Sequence, residues 1–214
     1  MPSIQRLKDL LHEQFTIKDL GPVKYYLGLE VKRTQKGIFL SQQKFINDLL
    51  EVANLSQANP LSVPFDPHIK LYDSDESGPL LSNATVYRAL IGKLLYLTTT
   101  RPDVAFSVQL LSQFLHAPRL KHMEVVHRVL RYLKLTMSHG LFFPSDNPLN
   151  FQGFSDNDWG ACPLDRRSVG GYAFTLGPAV ISWRSKKQAL TSRSSAEAEY
   201  RALADASCEV LWLK

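Results

Sequence analysis

The stretch GFSDNDWG, residues 153–160, sets Asp156 and Asp158 two positions apart in a run that otherwise reads as a strand. Alternate side chains of a strand share a face, so both carboxylates point the same way as Phe154. A third acid, Glu199, stands near the start of a helical pattern, AEAEYRALADASCEVLWLK. Helical offsets from Glu199 give Ala202, Leu203, Ala206, Val210 and Leu213, an apolar stripe expected to pack on a sheet with Glu199 at its head. Burying an unpaired charge is costly, so an inward carboxylate needs a partner, and the helix places no basic residue on that stripe. If the strand of Asp156 underlies this helix, two acids meet, and their repulsion calls for a cation. Hard oxygen donors favour Mg²⁺ or Mn²⁺. Carboxylates of this kind hold the metal in two-metal phosphodiester hydrolysis. Asp158 is either a further ligand or a polar residue at a strand end. Glu197 has a local explanation: Ser194-Ser195-Ala196-Glu197 fits a capping box, and Arg201 lies one turn further on.

The elements that must position these acids can be followed along the chain. IQRLKDLLHEQF carries Ile4, Leu7, Leu11 and Phe15 at helical spacing. VKYYLGLEVKRTQKGIFLSQ reads as a β-hairpin around Lys36-Gly37, and KFINDLLEVANL returns to helix. Residues 59–82, rich in Pro, Asp and Ser, are expected to form a linker or long crossing loop. Two helical runs follow, on either side of TTTRPD, and then a third, LKHMEVVHRVLRYLKLTM. Lys121, Arg128 and Arg131 recur on one stripe of that third helix, which is either a solvated face or a contact for a nucleic-acid backbone. After Gly140 the character is β: LNFQGFSDNDW, SVGGYAFTLG and AVISWRSKKQ give three strands joined by short turns, closed by the final helix.

The chain of 214 residues is 44% hydrophobic, which suits a folded core and excludes a disordered tail. A net charge of +5 is compatible with polyanionic partners. Cys162 and Cys208 are too few and too far apart for a disulfide framework or a zinc site, and the six histidines show no ligand spacing. The charged start lacks an apolar leader core, and no apolar run approaches the ~18 residues that span a bilayer. An intracellular chain, neither secreted nor membrane-spanning and of unspecified compartment, is the expectation.

Three of these stretches, FSDNDWGAC, DRRSVGGYAFTLG and ISWRSKKQALTSRSSAEAEYRALA, resemble the ribonuclease H region of copia-type retrotransposon Pol polyproteins. FTIKDLGPVKYYLGLEVKR, IFLSQQKFINDLL, YRALIGKLLYLTTTRPDVAFSVQLLSQF and HRVLRYLK resemble the segment that precedes it in the same polyproteins. The chain is also similar to uncharacterised plant mitochondrial open reading frames of that origin. The resemblance implies an α+β chain in three parts. Residues 1–55 are the end of a reverse-transcriptase palm, with Leu27-Gly28-Leu29-Glu30 near a primer-grip-like hairpin. Residues 56–140 are a helical thumb and connection. Residues 141–214 are a truncated ribonuclease H-like domain, a three-stranded antiparallel sheet with one helix. It further implies RNA-templated DNA synthesis and Mg²⁺-dependent hydrolysis of RNA in RNA:DNA hybrids, with the hybrid and the rest of the polyprotein as partners. Of the four nuclease acids in the family, Asp156 and Glu199 match the first two. The polymerase aspartates of a YxDD turn and the other two nuclease acids have no counterpart in this sequence, so the chain alone is expected to be inactive. Two other readings follow from the same residues. One is a non-catalytic nucleic-acid-binding module using Lys121, Arg128 and Arg131 with Tyr25, Tyr26 and Trp183. The other is a decayed insertion without a selected function.

Overall fold

The computed structural model describes residues 2–162 and 164–214. The elements run α1 (Pro2–Phe15), β1 (Tyr25–Tyr26), β2 (Leu29–Thr34), β3 (Gly37–Ser41), α2 (Gln43–Val52), α3 (Ala84–Leu97), α4 (Ala105–Ser112), α5 (Leu120–Leu135), β4 (Leu141–Pro144), β5 (Phe151–Asp158), β6 (Val169–Leu176), β7 (Ala179–Lys187) and α6 (Ser195–Leu213). The fold class is α+β, with two antiparallel sheets ordered β1-β2-β3-β4 and β5-β6-β7. No helix among the described residues is long and apolar enough to cross a membrane.

In the first sheet Thr34 pairs with Gly37, so the expected hairpin turns at Gln35-Lys36. The turn from β1 to β2 is tighter. Leu27 and Gly28 both have positive φ, the signature of a two-residue mirror-image turn, and the Tyr96 hydroxyl of α3 donates to the Leu27 carbonyl. Glu30 of β2 accepts from the Lys44 amide at 2.8 Å and so caps the first turn of α2. Leu141–Pro144 forms a fourth strand that the sequence pattern does not single out. It pairs with β3 of the hairpin, not with the strands that follow it. This pairing explains Gly37: at φ +145° a Cβ there would lie 2.2 Å from the Phe143 carbonyl oxygen.

The main core belongs to the helices. Ile46 and Leu49 of α2, Leu90, Ile91 and Leu94 of α3, Val108 and Leu111 of α4, and Val126, Val129 and Leu133 of α5 are all buried in one cluster. Residues 54–82 run over this core as a crossing loop, and α5 holds it in place. Arg131 Nε donates to the Asn59 carbonyl at 2.6 Å, and Lys134 Nζ donates to the Ser56 and Ala58 carbonyls at 2.6 and 2.9 Å. Arg119 pairs with Asp75 at 2.7 Å.

The second sheet has a thinner core. Its α6 side is closed by Ala198, Ala202 and Ala206, which are buried at successive turns. A Cβ at Gly170 would lie 3.6 Å from the Ala202 Cβ, so the helix sits close to the sheet. The opposite side docks on the helical part through two hydrogen bonds. Trp183 Nε1 donates to the Thr98 carbonyl at 3.0 Å, and Lys187 Nζ donates to Gln113 Oε1 at 3.1 Å.

Candidate functional site

Asp156 lies in the middle of β5, opposite Gly171, and Asp158 lies opposite Val169. Residues directly opposite in an antiparallel pair share a face. Asp156 and Asp158 therefore stand with Phe154, Ala173 and Trp183, on the side that meets α4. Together with Pro102, Ala105 and Phe106 they line an open groove of about 420 Å³. Asp156 is exposed and its Oδ1 accepts from the Asn157 amide at 2.8 Å. Asp158 is half-buried and accepts from the Val169 amide. Burial pushes the Asp158 carboxyl above its ordinary range, and the nearby Asp156 charge adds to this against the opposing Val169 hydrogen bond. The expectation that a strand aims two acids along one face is met, and the two interact.

Glu199 is placed differently from the expectation. It is exposed: the buried row of α6, Ala198, Ala202 and Ala206, keeps Ala202 and Ala206 of the expected stripe, with Val210 and Leu213 half-buried, but leaves Glu199 and Leu203 outside it. The physical reason is close packing. Methyl side chains allow the helix to approach the glycines of β6, whereas Leu203, 53% exposed, does not fit under it. Glu199 borders Ser155 of β5 in a shallow pocket with Ala196, Tyr200 and Leu203. Ser155 and Asn157 face α6, and Asp156 leaves the strand on the other side. The acids thus flank β5, the outer strand of its sheet, and line different grooves. A cation touching both Asp156 and Glu199 would have to sit at the free edge of β5.

Glu197 behaves as its local explanation requires. Ser194 Oγ accepts from the Glu197 amide at 3.1 Å, and Arg201 donates to Glu197 Oε1 at 2.9 Å. The return bond comes from the Arg193 amide at 2.8 Å, one residue earlier than in a standard box. The basic stripe of α5 is partly engaged: Arg131 holds Asn59, and an Arg128 guanidinium nitrogen lies 3.9 Å from Asp66. Lys121 is half-buried at the start of the helix. Tyr25 and Tyr26 are exposed side by side on β1, while Trp183 is engaged by Thr98.

Oxygen donors suit a hard divalent cation, and the mutual repulsion of Asp156 and Asp158 shows where positive charge would be stabilised. Among the described residues no group of three or more His, Cys, Asp or Glu side chains is arranged to hold a metal ion. Asp156 and Asp158 on one side of β5 and Glu199 on the other form no such group.

Two further constellations lie outside the acids that the sequence singles out. Arg101, 2% exposed, forms a two-pronged pair with Asp103, donates to the Thr136 carbonyl at 2.9 Å, and lies over the Tyr132 ring. Lys187 joins Cys162, Asp165 and Gln113. No local motif marks either, because Tyr132 and Thr136 in the first, and Gln113 and Lys187 in the second, come from distant parts of the chain.

Comparison with known proteins gives the family of the chain. The family described as reverse transcriptase (RNA-dependent DNA polymerase) matches residues 1–67. The retrovirus-related Pol polyprotein from transposon RE1 of Arabidopsis thaliana is 43% identical over 96% of this chain and 14% of the polyprotein. An uncharacterized mitochondrial protein of the same plant is 42% identical over 94% of this chain and 83% of its own length. A putative transposon Ty5-1 protein of Saccharomyces cerevisiae is 34% identical over 96% of the chain and 67% of its own length. No solved structure matches. The chain thus spans about a seventh of the RE1 polyprotein. It belongs to the family of copia-type retrotransposon Pol polyproteins and their relatives.

Proposed function

We propose that this chain is the part of a retrotransposon Pol polyprotein that joins its polymerase to its nuclease. Residues 1–55 are the end of the reverse-transcriptase palm, 56–140 the thumb and connection, and 141–214 the first part of a ribonuclease H-like domain. Asp156 and Glu199, with Asp158 as a further ligand, are its share of a centre that hydrolyses RNA in RNA:DNA hybrids. The observation that supports this reading is that Glu199 borders Ser155, the neighbour of Asp156, on β5, the outer strand of its sheet. A strand pairing with that edge and a further helix would add the remaining ligands and enclose the cation.

Mg²⁺ or Mn²⁺ held there would polarise the scissile phosphate and lower the pKa of a bound water. The protein's own share is to hold two carboxylates in a fixed relation. Asp156 is set by the β5–β6 register and its hydrogen bond from Asn157, and Glu199 by the capped start of α6. Two such carboxylates leave the near-octahedral demands of two ions unmet. The purified chain is therefore expected to cleave hybrid RNA weakly or not at all. Mg²⁺-dependent cleavage that disappears in Asp156→Asn would show that the centre is complete without further strands.

A non-catalytic binding role has one observation in its favour, the exposed Tyr25 and Tyr26 of β1, with Lys44 Nζ 6.0 Å from the Tyr25 ring centre. Under that reading Lys121, Arg128 and Arg131 contact a phosphate backbone. Hybrid-duplex affinity should then fall with salt, and the slope should drop by about one for each charge removed. A salt-independent affinity would remove this reading.

A further inference from the structure

The connection between β5 and β6 folds back so that Cys162 meets Lys187 of β7. Lys187 Nζ lies 2.9 Å from Cys162 Sγ, 2.9 Å from Asp165 Oδ2 and 3.1 Å from Gln113 Oε1. An ammonium has three N–H donors, and here each has one acceptor. The loop is held in this shape by the Arg166 amide on the Cys162 carbonyl at 2.9 Å and the Cys162 amide on the Arg167 carbonyl at 3.2 Å. Cys162 is 8% exposed, yet it lines an apolar cavity of about 470 Å³ between this connection, α4 and the crossing loop. The other charged side chains on the wall are Asp158, Arg166 and Lys70. The second cysteine, Cys208, is exposed on α6, with no hydrogen bond to a cation among the described residues.

We propose that Cys162 is a peroxide-reactive thiol that Lys187 activates and whose oxidised product loosens the docking of the second sheet on α4. The nucleophile is the thiolate, and a neighbouring ammonium stabilises charge on sulfur as it attacks. The cavity admits a hydroperoxide. One S–O bond forms and the O–O bond breaks. Sulfur loses two electrons and becomes sulfenic acid, and the peroxide is reduced to water, which carries away the thiol proton. The cluster keeps its charges throughout. Burial opposes ionisation of Asp165, but Lys187, the Cys162 thiol and the Arg167 amide together hold its carboxyl down to about 2. Burial likewise works against the Lys187 charge, and Cys162 and Asp165 outweigh it. An oxygen added to Sγ must enter the space now filled by the three-acceptor shell. The Gln113 bond, which ties β7 to α4, is the contact that strains.

The test treats the full chain with hydrogen peroxide, traps sulfenic acid with dimedone and follows both cysteine peptides by mass spectrometry. Cys162 is expected to label roughly tenfold faster than the more exposed Cys208, and Lys187→Met to remove that advantage. The comparison of the two cysteines within the unaltered chain needs no variant to fold. Faster labelling of Cys208, or a folded Lys187→Met chain in which Cys162 reacts as before, would overturn the proposal.

Discussion

At the scale of single residues, the structure separates charges that are balanced from charges that are not. Arg101 is the largest fully buried side chain, and each of its nitrogens finds an acceptor in Asp103 or Thr136. Burial opposes ionisation of Asp103, but the Arg101 hydrogen bonds and charge outweigh it and keep its carboxyl below the ordinary range. Replacing Arg101 by Met strands a half-buried carboxylate and two Thr136 acceptors. The urea midpoint should fall by an amount equivalent to about 3 kcal/mol, and Asp103→Asn, which leaves the buried Arg101 without a counter-charge, should also lower it. Asp156 and Asp158 show the opposite condition, two acids on one face whose charges repel each other. Asp156→Asn removes the like charge, so the Asp158 carboxyl should titrate at lower pH, as read from its side-chain ¹³C shift. An unchanged Asp158 titration would mean that burial alone sets it.

Secondary-structure elements were legible where a local pattern decides them. The hairpin around Lys36-Gly37, the three strands after residue 150, the α6 cap at Ser194 and the crossing loop all stand where spacing and turn residues put them. What spacing does not hold is the choice between adjacent stripes of one helix. On α6 Ala202 and Ala206 are buried as the spacing requires, but Ala198 rather than Glu199 heads the row and Leu203 is left out, because the glycines of the partner strand favour the smaller side chains. β4 was equally hidden, because its partner, β3, lies about a hundred residues earlier. The start of α5 depends on a histidine in a way that makes a prediction. His122 is buried, stacks on Phe114, accepts from the Arg119 amide at 3.0 Å and faces the Tyr72 carbonyl at 3.1 Å. Burial lowers its proton affinity below the ordinary 6.5, and the Tyr72 carbonyl and Asp73 only partly offset this. The unfolded chain therefore binds the proton more readily. Stability is full above pH 6.5 and is lost as pH falls below that value, before the carboxylates titrate. His127, also lowered by burial, has the same sign. The urea midpoint should be lower at pH 5.5 than at pH 7.5. His122→Gln, which cannot take up the proton, should flatten that difference in part.

On the scale of the whole molecule, the two halves of the chain differ in how well they are closed. The helical part buries its apolar residues in one cluster. The second sheet and α6 leave Phe154, Tyr200, Leu203, Leu211 and Trp212 exposed, and β5, the strand that carries Asp156, is the outer strand of its sheet. A row of unpaired amides and carbonyls flanked by apolar side chains is a template for another strand, and on the reading proposed above the rest of the polyprotein supplies it. Isolated, the chain should satisfy that edge with a second copy. Sedimentation velocity at rising protein concentration should show weak self-association, and Phe154→Lys should shift the population toward monomer. Phe154 is 60% exposed, so its loss should alter the melting free energy by no more than about 0.5 kcal/mol. That makes the association effect separable from unfolding. If the unaltered chain remains monomeric across the range, the β5 acids themselves guard the edge. In that case adding Mg²⁺, which neutralises them, should bring the association out, with Asp156→Asn reproducing the effect in the absence of metal.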